Sequence, residues 1–218
     1  MDKDSARSGV TAIERRFVPS EALCLEYRAD APDQPKTLSW YAAMFDVLSQ
    51  PLGGFRERIG RRAFSKALER DDVRGLINHD PNLILGRTST KTLKLHADHA
   101  GLHANVILPE TSYVRDLLVN IENGNITGGS FAFEVVKDDW VLENIDGEDT
   151  VVRTVKEVRL YDVSPVTFPA YTATEGSATV RSLAAEWRGK LLGSPAEIRE
   201  MPACALMKAM CATCEMDC

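Results

Sequence analysis

The sequence predicts an α+β domain: one β-rich barrel or curled sheet with two or three helices outside it. Three observations carry this. Short runs rich in Val, Ile, Leu, Phe and Tyr recur along the chain with Gly, Asn, Asp or Pro between them, the mark of many short strands. Only three segments repeat apolar residues at helical spacing. The length, 218 residues, suits one domain of ordinary size plus tails, large enough to bury a core without metal or disulfide help.

Residues 1–36 mix charge, proline and short apolar pieces, with Ala31-Pro32-Asp33-Gln34-Pro35 as a turn-rich linker, and read as a mobile arm holding at most one early strand. A buried strand is expected over Leu38–Phe45, a loop over Ser49–Phe55 and a short strand over Arg56–Ile59. Ala63, Phe64, Ala67 and Leu68 have helical spacing. Val73–His79 reads as a strand entering a turn at Asp80-Pro81-Asn82, which puts His79 at a strand end. Strands follow at residues 83–87, 93–96 and 102–108.

Thr111–Ile121 is the clearest helix: Thr111 or Ser112 can cap its start, Asn123-Gly124 closes it, and Val114, Leu117, Leu118 and Ile121 form its apolar face. Ser130–Val136 and Val151–Ser164 then form an antiparallel hairpin across the acidic turn 144–149. With no bulge and a turn centred near Asp146, Trp140 faces Val152 and Ser130 faces Asp162. Val180–Trp187 reads as a last helix. The domain thus spans 37–187, and 188–218 is a tail.

With 26 basic and 32 acidic residues the net charge is −6, and the Lys and Arg are scattered, which argues against a nucleic-acid-binding surface. No apolar run approaches the roughly 20 residues of a membrane-spanning helix, and the N-terminal residues Met1–Arg7 lack a signal-peptide core, so a cytoplasmic protein is expected. Cys24 stands alone, while Cys204, Cys211, Cys214 and Cys218 crowd the tail; no disulfide framework is expected.

The chemistry centres on Gly128-Gly129-Ser130. A serine hydroxyl is a poor nucleophile unless a base takes its proton, and His79 in Asn78-His79-Asp80-Pro81 is the candidate. Asp162 is the candidate to orient that imidazole, with Glu157 as the competing carboxylate and Glu134 third. Gly128 and Gly129, lacking Cβ atoms, would let a substrate carbonyl approach closely, near backbone N–H groups able to stabilise an oxyanion. Taken alone, glycine before a strand more often marks a turn or bulge. His96, His99 and His103 sit close in sequence but lack a paired ligand motif, so they read as polar hairpin residues; neither metal nor cofactor is expected.

The segments Tyr41–Phe45, Pro51–Glu57, Asn78–Asn82, Leu85–Thr88, Thr111–Asp116, Gly128–Phe133 and Glu157–Tyr171, in that order, closely resemble the prohead maturation proteases of tailed bacteriophages over roughly residues 38–175. The resemblance implies a serine endopeptidase with a small β-barrel like that of the herpesvirus assemblins. It carries the base and nucleophile onto His79 and Ser130, and the third member onto Asp162 or Glu157; the common family form has Glu where this chain has Asp162. It further implies work inside the immature capsid in the host cytoplasm. The substrates would be the major capsid protein and its scaffolding segment, the protease itself, and the portal as a further partner, with self-association in the prohead. The reading from another class is a non-enzymatic assembly or scaffolding component built on the same fold.

Overall fold

The computed structural model describes residues 13–18, 26–28, 36–168 and 178–192. Cys24 and the four tail cysteines lie outside the described residues. The fold is mixed α+β, mostly strands with few helices. In chain order the elements are β1 (Glu14–Val18), β2 (Glu26–Arg28), β3 (Thr37–Met44), β4 (Arg56–Ile59), α1 (Ser65–Arg70), β5 (Arg74–Ile77) and β6 (Asp80–Arg87). There follow β7 (Leu93–Ala97), β8 (Gly101–Ile107), α2 (Ser112–Glu122), β9 (Gly128–Ile145), β10 (Glu148–Val166) and α3 (Ala178–Leu192). Two of these strands, β1 and β2, come from the stretch read as an arm.

The strands form two sheets rather than a closed barrel. One runs β1-β9-β10-β5-β6 with β4 also on β10, and the other runs β2-β3-β8-β7. The ring of strands expected from sequence does not close as a continuous ladder among the described residues, because β10 spends its second edge on two short parallel partners. Val152–Val155 pair with β4 and Asp162–Val163 with β5. Between them the edge of β10 is met by the flanks of α1, where Val158 N–H donates to Ala63 C=O and Leu160 N–H to the Asp71 carboxylate. The core lies between the sheets around Trp40, Phe64, Leu85, Leu102, Phe131 and Phe133, and α2 closes it with Val114, Leu117 and Leu118. Phe55, Trp140, Val151 and Ala184 make a second, smaller cluster under α3, against which Trp187 packs.

The β9–β10 hairpin turns on Asp146 and Gly147, both at positive φ (54° and 88°), the two-residue turn that Asp-Gly favours. Its centre lies half a residue later than the sequence reading placed it, so Trp140 faces Arg153 and Val141 faces Val152. Three irregularities follow, at Lys156, Val136 and Tyr161, each an extra residue in one strand. At the site end Ser130 therefore faces Ser164, while Asp162 faces Ala132.

A buried ion cluster ties β1, β4, β9 and β10 together. Arg153 donates to Glu14 at 3.0 Å, to Glu57 at 3.1 Å and to Asp138 at 2.9 Å, while Arg16 donates to Glu57 at 2.7 Å and also pairs with Glu14. Burial opposes the charge on Arg153, but the carboxylates of Glu57, Glu14 and Asp138 outweigh it and hold the guanidinium above its ordinary range. Trp140 and Phe133 cover the two guanidinium groups from their faces. Removing one partner strands the others without compensation. Arg153→Ala should lower stability by about 3–5 kcal/mol, measured as an earlier urea midpoint. A second prediction concerns Gly101, where a Cβ would stand 2.0 Å from the Ala43 carbonyl oxygen across the β3–β8 pair. Since the obstacle is backbone, Gly101→Ala should cost about 2 kcal/mol and lower Tm by roughly 4–8 °C.

Candidate active site

His79 sits in the two-residue turn of the β5–β6 hairpin, with Ile77 and Asp80 paired across it. The turn begins two residues earlier than the sequence reading placed it, because Asp80-Pro81-Asn82 already belong to β6. Asn78 and His79 both take the left-handed conformation, φ 53° and 59°. Asparagine and histidine both enter this region more readily than most residues, but two in succession still require a constraint from their surroundings. The end of β10 supplies that constraint. Asn78 N–H donates to Pro165 C=O at 3.0 Å, Thr167 N–H donates to Asn78 Oδ1 at 2.8 Å, and Asn78 Nδ2 donates to Thr167 Oγ1 at 3.1 Å.

So held, the imidazole lies between two side chains from the hairpin. His79 Nε2 is 2.7 Å from Ser130 Oγ, and His79 Nδ1 is 2.6 Å from Asp162 Oδ1. An ionised carboxylate only accepts, so Nδ1 carries the proton and the neutral ring presents a lone pair at Nε2 toward the serine. The three side chains are nearly enclosed: Ser130 is 2% exposed and Asp162 8%. Ser130 Oγ is also 2.9 Å from the Arg16 carbonyl oxygen, because β1 runs alongside β9 with Phe17 facing Ser130.

The other candidates are engaged elsewhere. Glu157 lies beside Lys137 and pairs with Lys66 of α1 at 2.9 Å, which holds its carboxyl below the usual range. Glu134 accepts from the Tyr161 hydroxyl at 2.7 Å. A Cβ at Gly128 would stand 1.9 Å from the Phe17 ring, so the missing side chain makes room for Phe17 of β1. Gly129 is flanked by Val18 on one side and Pro165 on the other. His96 faces His103 across β7–β8 with ring centroids 4.7 Å apart. No group of His, Cys, Asp or Glu able to hold a metal ion occurs among the described residues.

One residue at the site escaped the sequence reading. Ser164, fully buried, faces Ser130 across the ladder, donates to Asp162 Oδ1 at 2.9 Å and accepts from His79 N–H at 3.3 Å. Its signal was its place two residues after Asp162, on the same face of an extended strand.

A search of curated proteins returned no match. Among solved structures, the chain is similar to the capsid assembly protease of bacteriophage T4, gp21, at 14% identity and TM-score 0.46, covering 72% of this chain and 99% of that one. The family model described as caudovirus prohead serine protease matches residues 24–187, most of the chain and both halves of the site, and the chain therefore belongs to the caudovirus prohead serine protease family.

Proposed function

We propose that Ser130, His79 and Asp162 are the nucleophile, general base and orienting acid of this prohead protease. The observation that carries the assignment is the imidazole bridging the hydroxyl and the carboxylate at 2.7 and 2.6 Å. His79 Nε2 takes the Ser130 proton as Oγ attacks the scissile carbonyl carbon. The same nitrogen then gives that proton to the leaving amine, and water hydrolyses the acyl-serine by the reverse route. Throughout, Asp162 keeps the ring in the tautomer whose free lone pair faces the nucleophile and stabilises the imidazolium that forms.

The substrates proposed are the major capsid protein, through its scaffolding segment, and the protease's own ends, residues 1–36 and 188–218, with the portal as a further partner. The work would take place inside the immature capsid in the host cytoplasm, where copies of the protease would gather. We also read the two sheets as a flattened version of the assemblin-type barrel. The support is that β6 packs near β7 on one side and β1 near β3 on the other.

A fluorophosphonate probe separates this reading from a non-enzymatic assembly component, since only an activated serine reacts. Wild-type protein should be labelled at Ser130 and should cut a co-expressed capsid protein at sites that mass spectrometry maps; an unlabelled, intact mixture would reject the enzyme. Ser130→Ala and His79→Ala should each lower the cleavage rate on the order of 10⁵–10⁶-fold with the thermal transition retained. Between the two carboxylates, Asp162→Asn should slow cleavage by about 10⁴-fold. Glu157→Gln, which removes an ion pair with exposed Lys66, should stay within about twofold of wild type.

A further inference from the structure

We infer that Ser164 is a fourth member of the site, a positioning residue that locks the carboxylate and the imidazole to each other. This rests on the assignment of Ser130, His79 and Asp162 above. A hydroxyl has one proton to give and two lone pairs, and the surroundings of Ser164 use both kinds. Its proton goes to Asp162 Oδ1 at 2.9 Å, the oxygen that also accepts from His79 Nδ1 at 2.6 Å. One of its lone pairs receives the backbone N–H of His79 at 3.3 Å. The same oxygen lies 3.5 Å from His79 Nδ1 itself.

Ser164 thus holds the histidine by its backbone and the aspartate by its carboxylate. The side chain is 0% exposed, so no water can take over either bond once the hydroxyl is gone. The residue whose backbone it holds also needs holding: His79 stands in the left-handed region at φ 59°. Three bonds between Asn78 and Pro165 and Thr167 fix the first residue of that turn, and the Ser164 bond fixes the second. Its position directly opposite Ser130 makes β10 a template that sets all three distances at once.

A filler serine and a positioning serine differ in what their removal changes. Ser164→Ala should lower kcat roughly 10- to 100-fold through misplacement of the imidazole, with KM within about twofold, because the hydroxyl is enclosed and has no access to substrate. The second measurement needs no activity. The His79 Nδ1 proton, shared with Asp162 at 2.6 Å, should give a far-downfield proton resonance in wild type that shifts or broadens in Ser164→Ala. Wild-type kcat together with an unchanged resonance would overturn the proposal. If the alanine variant does not fold, Ser164→Cys keeps the side chain in place with a weaker donor. A reduced kcat then supports the role, and a wild-type kcat rejects it. Failure of Ser130 to react with the fluorophosphonate in wild-type protein would instead strike the catalytic assignment, leaving the resonance to report on Ser164 by itself.

Discussion

One residue without a ladder partner, Tyr161, decides which face of the sheet carries Asp162. Leu160 faces Phe133 and Val163 faces Phe131, both toward the core, while Asp162 faces Ala132 and Ser164 faces Ser130 on the other side. Strict alternation would have put Leu160, Asp162 and Ser164 on one face, because side chains repeat every second residue. The bulge lets an apolar residue enter the core and, two positions later, a carboxylate leave it. On the opposite edge of β10, between its pairings with β4 and β5, the Asp71 carboxylate takes the Leu160 N–H. Register and chemistry are therefore one constraint in this protein.

The same strand positions the imidazole of His79. His79 arrives on a different hairpin, in a backbone conformation that costs a non-glycine residue on the order of 1–2 kcal/mol. The end of β10 holds it there through Ser164, Pro165 and Thr167. Ser130, His79 and Asp162 are thereby measured from a single ruler. Ser130 is its ladder partner across the Ser164 position, Asp162 projects from it, and His79 is tied to its last residues. This explains how a strand as short as β5, with only four residues, can present His79 with hydrogen-bond accuracy.

Much of this was legible in the sequence, and the errors have physical causes. Turn residues and apolar alternation located most strands and α2, since Asp146-Gly147 and Asn123-Gly124 stop their elements through backbone preferences that are local. Pairing is not local. Reading Ser130 directly against Asp162 missed by two positions, one from the centre of the hairpin turn and one from the net excess of bulged residues in β10. Two single-residue errors in the same direction restore the face, so the right side chains were brought together for a partly wrong reason. The ion cluster stayed hidden because Glu14, Glu57, Asp138 and Arg153 are distant in sequence and each, taken alone, reads as a solvated strand residue. Ser164 stayed hidden because a serine before Pro165 reads as the end of a strand.

The ion cluster reaches Ser130 through the backbone. By tying Arg16 and Glu14 to Glu57 of β4 and Arg153 of β10, it fixes β1 along β9, and that placement sets the Arg16 carbonyl 2.9 Å from Ser130 Oγ. The hydroxyl then has two acceptors within reach, His79 Nε2 at 2.7 Å and this carbonyl at 2.9 Å, and a single proton to donate. With Nδ1–H committed to Asp162, donation to Nε2 is the arrangement that prepares Oγ to attack, whereas donation to the carbonyl leaves the imidazole lone pair unused. The second of these acceptors is fixed by where β1 lies along β9. A group of buried charges on the far face of the sheet thus bears on the protonation geometry of the serine, although none of those charges touches it.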